Sequence, residues 1–100
     1  MLIAHVTFRV APDSLRIALD ALMSEVPVVR RMKGCQAFIP FADPTVEGGL
    51  GLIHEWDSGE DFAAYVTSPG FAEVNARLRP LMTEPPVSRR FDARLAESVN

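Results

Sequence analysis

The stretch LGLIHEWDSGEDFAAYVTSPGFAEVNARLRPL, residues 50–81, decides the fold. It starts with the period of a strand: Leu50, Leu52, His54 and Trp56 fall on one face, and Gly51, Ile53 and Glu55 on the other. Asp57-Ser58-Gly59 then turns the chain, and Ser58 with Asp61 three residues on reads as a capping-box-like helix start. Apolar spacing becomes helical through Phe62, Tyr65 and Val66. Ser68-Pro69 opens a second helical piece, Ser68 as N-cap and Pro69 in the first position, with Phe71, Val74, Asn75, Leu78 and Leu81 along one side. The helical segment therefore covers the strand face that bears His54 and Trp56, and a pocket is expected between them.

Outward from this stretch, the chain repeats the same grammar. Leu2, Ala4, Val6, Phe8 and Val10 form the apolar face of a first strand, with Ile3, His5, Thr7 and Arg9 on its reverse. Asp13 or Ser14 caps a helix carrying Leu15, Ala18, Leu19, Leu22, Met23 and Val26 at helical spacing. Pro27 predicts a kink or short break, with Val28 to Met32 helical again and Gly34 as the left-handed stop. Cys35 to Phe41 reads as a second strand, placed at an edge by Pro40. Val87 to Leu95 reads as the last strand, with Val87, Arg89, Phe91, Ala93 and Leu95 sharing one face.

This order is the α+β, ferredoxin-like βαββαβ plan: a four-stranded antiparallel sheet with the helices on one face and the first and third strands in the centre. The uncovered face carries Ile3, His5, Thr7, Arg9, Ile53 and Glu55. Its apolar members predict a second sheet packed there, most simply from an identical subunit on a two-fold axis.

Composition bounds the function. One hundred residues, 48% of them hydrophobic, make one domain spanning 1–100 that buries a core without staples. The net charge of −3, with both signs mixed, argues against nucleic acid or an anionic membrane as partner. The lone Cys35 forms no internal disulfide, and no apolar run approaches the ~20 residues of a bilayer crossing. Without a basic leader at the start, a reducing cytoplasm is the expected compartment. His5 and His54 point to opposite faces, so they do not share a metal, and Gly48-Gly49 precedes a strand rather than following one, so no phosphate loop is present.

The chain resembles the antibiotic biosynthesis monooxygenase family, especially its small quinol-monooxygenase-like members. The resemblance spans nearly the whole length. It rests on LIAHVTFRV followed by Pro12-Asp13, on VPVVRRMKGC, on HEWDS closing the third strand, and on SPGFAEVNARLRPL. It implies a dimeric α/β barrel of two sheets packed face to face, with a pocket in each subunit between sheet and helices. It implies oxidation of an electron-rich phenol or hydroquinone by dioxygen with no cofactor. The pattern is not carried over intact. Tyr65 stands where many members have a histidine nine residues after the tryptophan, and Leu52 stands where some polyketide-oxidising members have asparagine. The neighbouring haem-degrading branch uses a first-strand asparagine and a histidine in the second helical segment; this chain has neither.

Each candidate residue carries two readings. Trp56 is a large core side chain or the wall on which a planar substrate stacks, and Phe62 would hold the same ring. His54 is a hydrogen-bonded core residue or the base that takes a phenolic proton. Tyr65 is an amphipathic core residue or the group that orients a substrate oxygen. Asn75 caps a nearby backbone group or bonds substrate. Arg89 snorkels outward or binds an anionic oxygen. His5 and Glu55 read as interface residues able to pair. The expected function is a cofactor-independent monooxygenase acting on a quinol or polyketide-like phenol, with His54 and Tyr65 catalytic and Trp56, Phe62, Asn75 and Arg89 binding substrate. The alternative is a non-catalytic dimeric small-molecule-binding protein of the same fold.

Overall fold

A computed structural model describes residues 1–100. Its elements follow the expected order: β1 (Leu2–Arg9), α1 (Leu15–Val29), β2 (Cys35–Ala42), β3 (Gly49–Trp56), α2 (Gly59–Val66), α3 (Pro69–Leu78) and β4 (Val87–Asp92). Short 3-10 turns at Pro12–Ser14 and Arg79–Leu81 lead into α1 and out of α3. The strands form one antiparallel sheet in the order β2-β3-β1-β4, which puts β1 and β3 in the centre and β2 at an edge. No helix is long and apolar enough to cross a membrane.

The starts of α2 and α3 are built as their sequences dictate, whereas neither Asp13 nor Ser14 caps α1 through its side chain, because both lie within the 3-10 turn that leads into it. The Ser58 hydroxyl accepts the Asp61 backbone N–H at 3.1 Å, and the Ser68 hydroxyl accepts that of Phe71 at 3.3 Å, so each satisfies a donor that has no partner within its helix. Gly34 adopts φ +82° after the first helix, and the Asp61 side chain fills the space where a Cβ would sit.

Two further local expectations are corrected. Helix α1 runs through Pro27 without a break and stops at Val29. Pro27 lies in the last turn, where its missing N–H leaves only one late carbonyl without a partner. Strand β4 is phased the other way from the expected one and ends at Asp92. Ser88, Arg90 and Asp92 stand opposite Val6, Ala4 and Leu2 on the helix-covered side, whereas Val87, Arg89 and Phe91 stand opposite Thr7, His5 and Ile3 on the open side. The rule that the more apolar face meets the helices fails here because the open face is itself apolar. Ile39, Val87 and Phe91 are 47%, 55% and 37% exposed on it.

The core sits between sheet and helices in two clusters. One gathers Ala4, Val26, Val29, Phe38, Leu52, Trp56, Phe62 and Tyr65. The other gathers Phe8, Val10, Ala18, Ala21, Leu22, Leu50, Val74 and Leu78. Leu50, Leu52, His54 and Trp56 are all buried, as the period of two requires.

Candidate functional site

The two clusters do not close on each other, and a cavity of about 260 Å³ opens at their seam. From the first cluster Leu52, Phe62 and Tyr65 line it, and from the second Phe8, Leu22, Val74 and Leu78. Its polar lining is short: His54, Tyr65, Asn75, Arg79, Ser88 and Arg90. An apolar cavity of about 150 Å³ is enough for benzene. This one suits a ligand of one or two rings.

His54 is the centre of the polar set. The Trp56 indole N–H donates to His54 Nδ1 at 2.8 Å, within the buried core. An indole nitrogen can only donate, so Nδ1 carries the lone pair and the neutral ring holds its proton on Nε2. No protein group takes the Nε2 proton, yet no buried side-chain polar atom is left without a partner. Nε2–H therefore opens onto the cavity that His54 lines. Burial, and secondarily the Arg90 charge, push the His54 pKa down to about 4. The ring is neutral at pH 7, and its position is fixed by aromatic neighbours: Phe62 at 5.5 Å, and Phe38 and Tyr65 each at 5.7 Å between centroids.

This geometry changes the role available to His54. A base needs a free lone pair, and the one that His54 has is engaged by Trp56. As it stands, the imidazole is a neutral hydrogen-bond donor.

Trp56 is fully buried and does not line the cavity. It stacks on Tyr65 at 5.4 Å and 20°, so no ligand has access to its ring. It acts on the site through His54. Tyr65 is buried, lines the cavity and has no protein partner for its hydroxyl. Burial raises the Tyr65 pKa well above the phenol range, with Glu25 and Cys35 adding to the effect, so the hydroxyl stays a donor. Phe62 lines the cavity as expected. Asn75 lines it too, and its amide donates back to Phe71 O at 3.0 Å, which leaves the carbonyl oxygen as an acceptor.

Arg89 is not in the site. It stands opposite His5 on the open sheet face, its guanidinium 5.2 Å from the Phe91 ring centroid. Arg90 occupies the helix-covered side, its guanidinium 4.9 Å from the Phe62 centroid and its Nε donating to Ser88 at 3.3 Å. Sequence reasoning missed Arg90, Arg79 and the segment from Met82 to Ser88. The alternation Ser88, Arg90, Asp92 was the available signal, since it fits a strand whose polar face supplies the few polar groups of a cavity wall. On the open face His5 packs edge-on against Phe91 at 5.3 Å, while Glu55 stands opposite Ile3, so the two do not pair within one chain. Nowhere do three His, Cys, Asp or Glu side chains converge as metal ligands.

The model of the antibiotic biosynthesis monooxygenase family matches residues 1–77. The chain belongs to that family. Among solved structures it is similar to a Deinococcus radiodurans protein named for the same family, at 19% identity and TM-score 0.90 over 100% of this chain and 99% of that one. It is also similar to Rv0793 of Mycobacterium tuberculosis, at 20% identity and TM-score 0.86 over 98% of each chain. A Caulobacter crescentus protein named for the family aligns at 20% identity and TM-score 0.80, over 94% and 90% of the two chains. At these identities the structures speak for the fold. No protein of curated function matches this family member. Arg79 and Arg90 lie beyond the residues that the family model matches.

Proposed function

We propose that the chain is a monooxygenase that oxidises a small quinol or phenol with dioxygen and without a cofactor. The observation that carries the reading is the Trp56–His54 hydrogen bond, which holds a neutral N–H donor in an apolar cavity beside the Tyr65 hydroxyl. Electron-rich ring and dioxygen would meet over Phe62, Leu52 and Val74. The phenolate form passes one electron to dioxygen, giving a phenoxyl radical and superoxide. These join at a ring carbon, and the hydroperoxide so formed loses water, its ring C–H proton leaving with the terminal O–H. The sum is phenol plus dioxygen to quinone plus water. Negative charge grows on oxygen throughout, and fixed donors in a dry site favour that charge without reorganising. His54 Nε2–H and Tyr65 O–H are such donors; Phe62 and Asn75 would position the ring.

The reading includes a homodimer through the open sheet face, with Ile3, His5, Thr7, Ile53 and Glu55 inside the interface. Exposed Ile39 on one edge strand and Val87 and Phe91 on the other support it, with Ile53 beside Ile39 and Ile3 beside Phe91 on the strands between, since scattered single apolar side chains are ordinary but an apolar sheet face is not. A reducing cytoplasm would keep Cys35 as the thiol.

Oxygen uptake with a panel of quinols and phenols, including ones that are ionised at neutral pH, tests the activity. Wild type is expected to consume oxygen with at least one of them. His54→Gln keeps an N–H donor and retains part of the rate, whereas His54→Leu loses about 100-fold. Equal loss in both variants would restore the base role, and no uptake with any substrate would leave a non-catalytic binding protein.

A further inference from the structure

The cavity has means to hold a negative charge and no means to create one. Of its lining residues none is Asp or Glu, and two are arginines, in a chain whose net charge is −3. The only ion pair in the molecule is Arg16–Asp20 on α1, so neither Arg79 nor Arg90 has a carboxylate partner. Arg90 spends its Nε on Ser88, and its terminal nitrogens remain available at the cavity wall above Phe62.

Removal of a phenolic proton inside the cavity would need an acceptor. The His54 lone pair is engaged by Trp56. Tyr65 is itself a donor, and an amide such as Asn75 is no base. The charged groups that bear on the lining are Arg79 after α3, Arg90 on β4, and Glu25 on α1, which acts on Tyr65 without lining the cavity. Glu25 is buried, and burial raises its pKa while Arg77 opposes and Glu73 reinforces the shift. Two cations, an imidazole N–H and a phenol O–H thus surround an apolar floor.

We infer that the site selects its substrate as an anion: a one- or two-ring phenol or enol acidic enough to be ionised in neutral water before it enters, its oxyanion held by Arg90, with Arg79 beside it. This rests on the proposed ligand site and narrows its substrate class. It removes the need for a catalytic base, because the proton is lost to solvent outside the protein. It also assigns a separate job to the chain after residue 77. The sheet and helices supply the donor pair and the apolar floor, and the turn after α3 together with β4 supplies the charge.

A coloured probe tests this. 4-Nitrophenol is one ring in size, ionises near neutrality and is visible only as the phenolate. Titration of the probe with full-length protein between pH 5 and 8 reads its apparent pKa when bound. The expected result is a bound pKa at least about one unit below that of the free probe, a tenfold preference for the anion. Added salt should weaken binding of the phenolate more than that of the phenol. Arg90→Gln with Arg79→Gln should return the bound pKa to the free value, and a bound pKa lowered as in wild type would overturn the inference. A bound pKa equal to or above the free value overturns the inference and leaves the ligand site standing. Failure of both probe forms to bind overturns the inference and the ligand-site reading together.

Discussion

Trp56 Nε1 and His54 Nδ1 lie 2.8 Å apart, two residues from each other on the same face of one strand. Period-two alternation brings both side chains into the core, and the bond between them decides what the histidine can do. A buried imidazole with a free lone pair could accept a proton. With that lone pair engaged, it offers a donor and stays neutral.

Trp56→Phe removes the indole N–H and part of the ring. The variant should lose about 2–4 kcal/mol of stability from the lost contacts and the unpaired nitrogen, read by denaturant unfolding. His54 should also titrate at a higher pH, because a free Nδ1 is easier to protonate. An unchanged His54 titration would remove Trp56 from its role in the site.

Stability should fall on acidification through a defined window. The His54 pKa is about 4 folded against the ordinary 6.5, so between these values the unfolded chain binds more protons. Stability is then full above pH 6.5, and drops as pH falls towards 4 by on the order of 3 kcal/mol. Glu25 acts in the opposite sense, since its raised pKa makes the folded chain bind more protons just above the ordinary carboxyl range. His54→Gln isolates the histidine: the difference in Tm between pH 7 and pH 5 should shrink in the variant. An equal difference in both proteins would contradict the assignment.

On the open face, Gly51 makes room for Phe41. A Cβ at Gly51 would fall within the Phe41 ring, and the two residues stand opposite each other on neighbouring strands. Gly51→Ala should cost about 1–3 kcal/mol by overpacking. In a cycle with Phe41→Ala, the two costs should fall short of additivity by more than about 0.5 kcal/mol. Simple additivity would show that the ring does not depend on the missing side chain.

Sedimentation tests the assembly. Wild type should run at twice the 11.0 kDa chain mass, and Val87→Glu with Phe91→Glu should run as a single chain with its helical content kept. A wild-type monomer would contradict the dimer.

The sequence made the fold legible because each local signal agreed with its neighbours. Ser58 and Ser68 marked helix starts, Pro40 marked an edge, and the βαββαβ order put β1 and β3 in the centre. The burial of His54, Trp56, Phe62 and Tyr65 followed from the same alternation and helical spacing. Two features were not legible for physical reasons. The phase of β4 depends on which of two apolar faces meets the helices, and one strand in isolation has no way to express that. Arg90 rather than Arg89 reaches the cavity as a direct result. The role of His54 depends on a contact between rings two residues apart, and side-chain direction within a strand face does not follow from spacing alone. Pro27 shows the milder case, a helix breaker placed so late that nothing remained to break.

Nitrogen-15 NMR of the histidine rings, recorded on wild-type protein from pH 3.5 to 8, tests the central claim most directly. His54 should show a single neutral tautomer with the proton on Nε2 across the neutral range, and should protonate only near pH 4. A His54 ring that carries its proton on Nδ1, or that titrates between pH 6 and 7 like a free imidazole, would contradict the account.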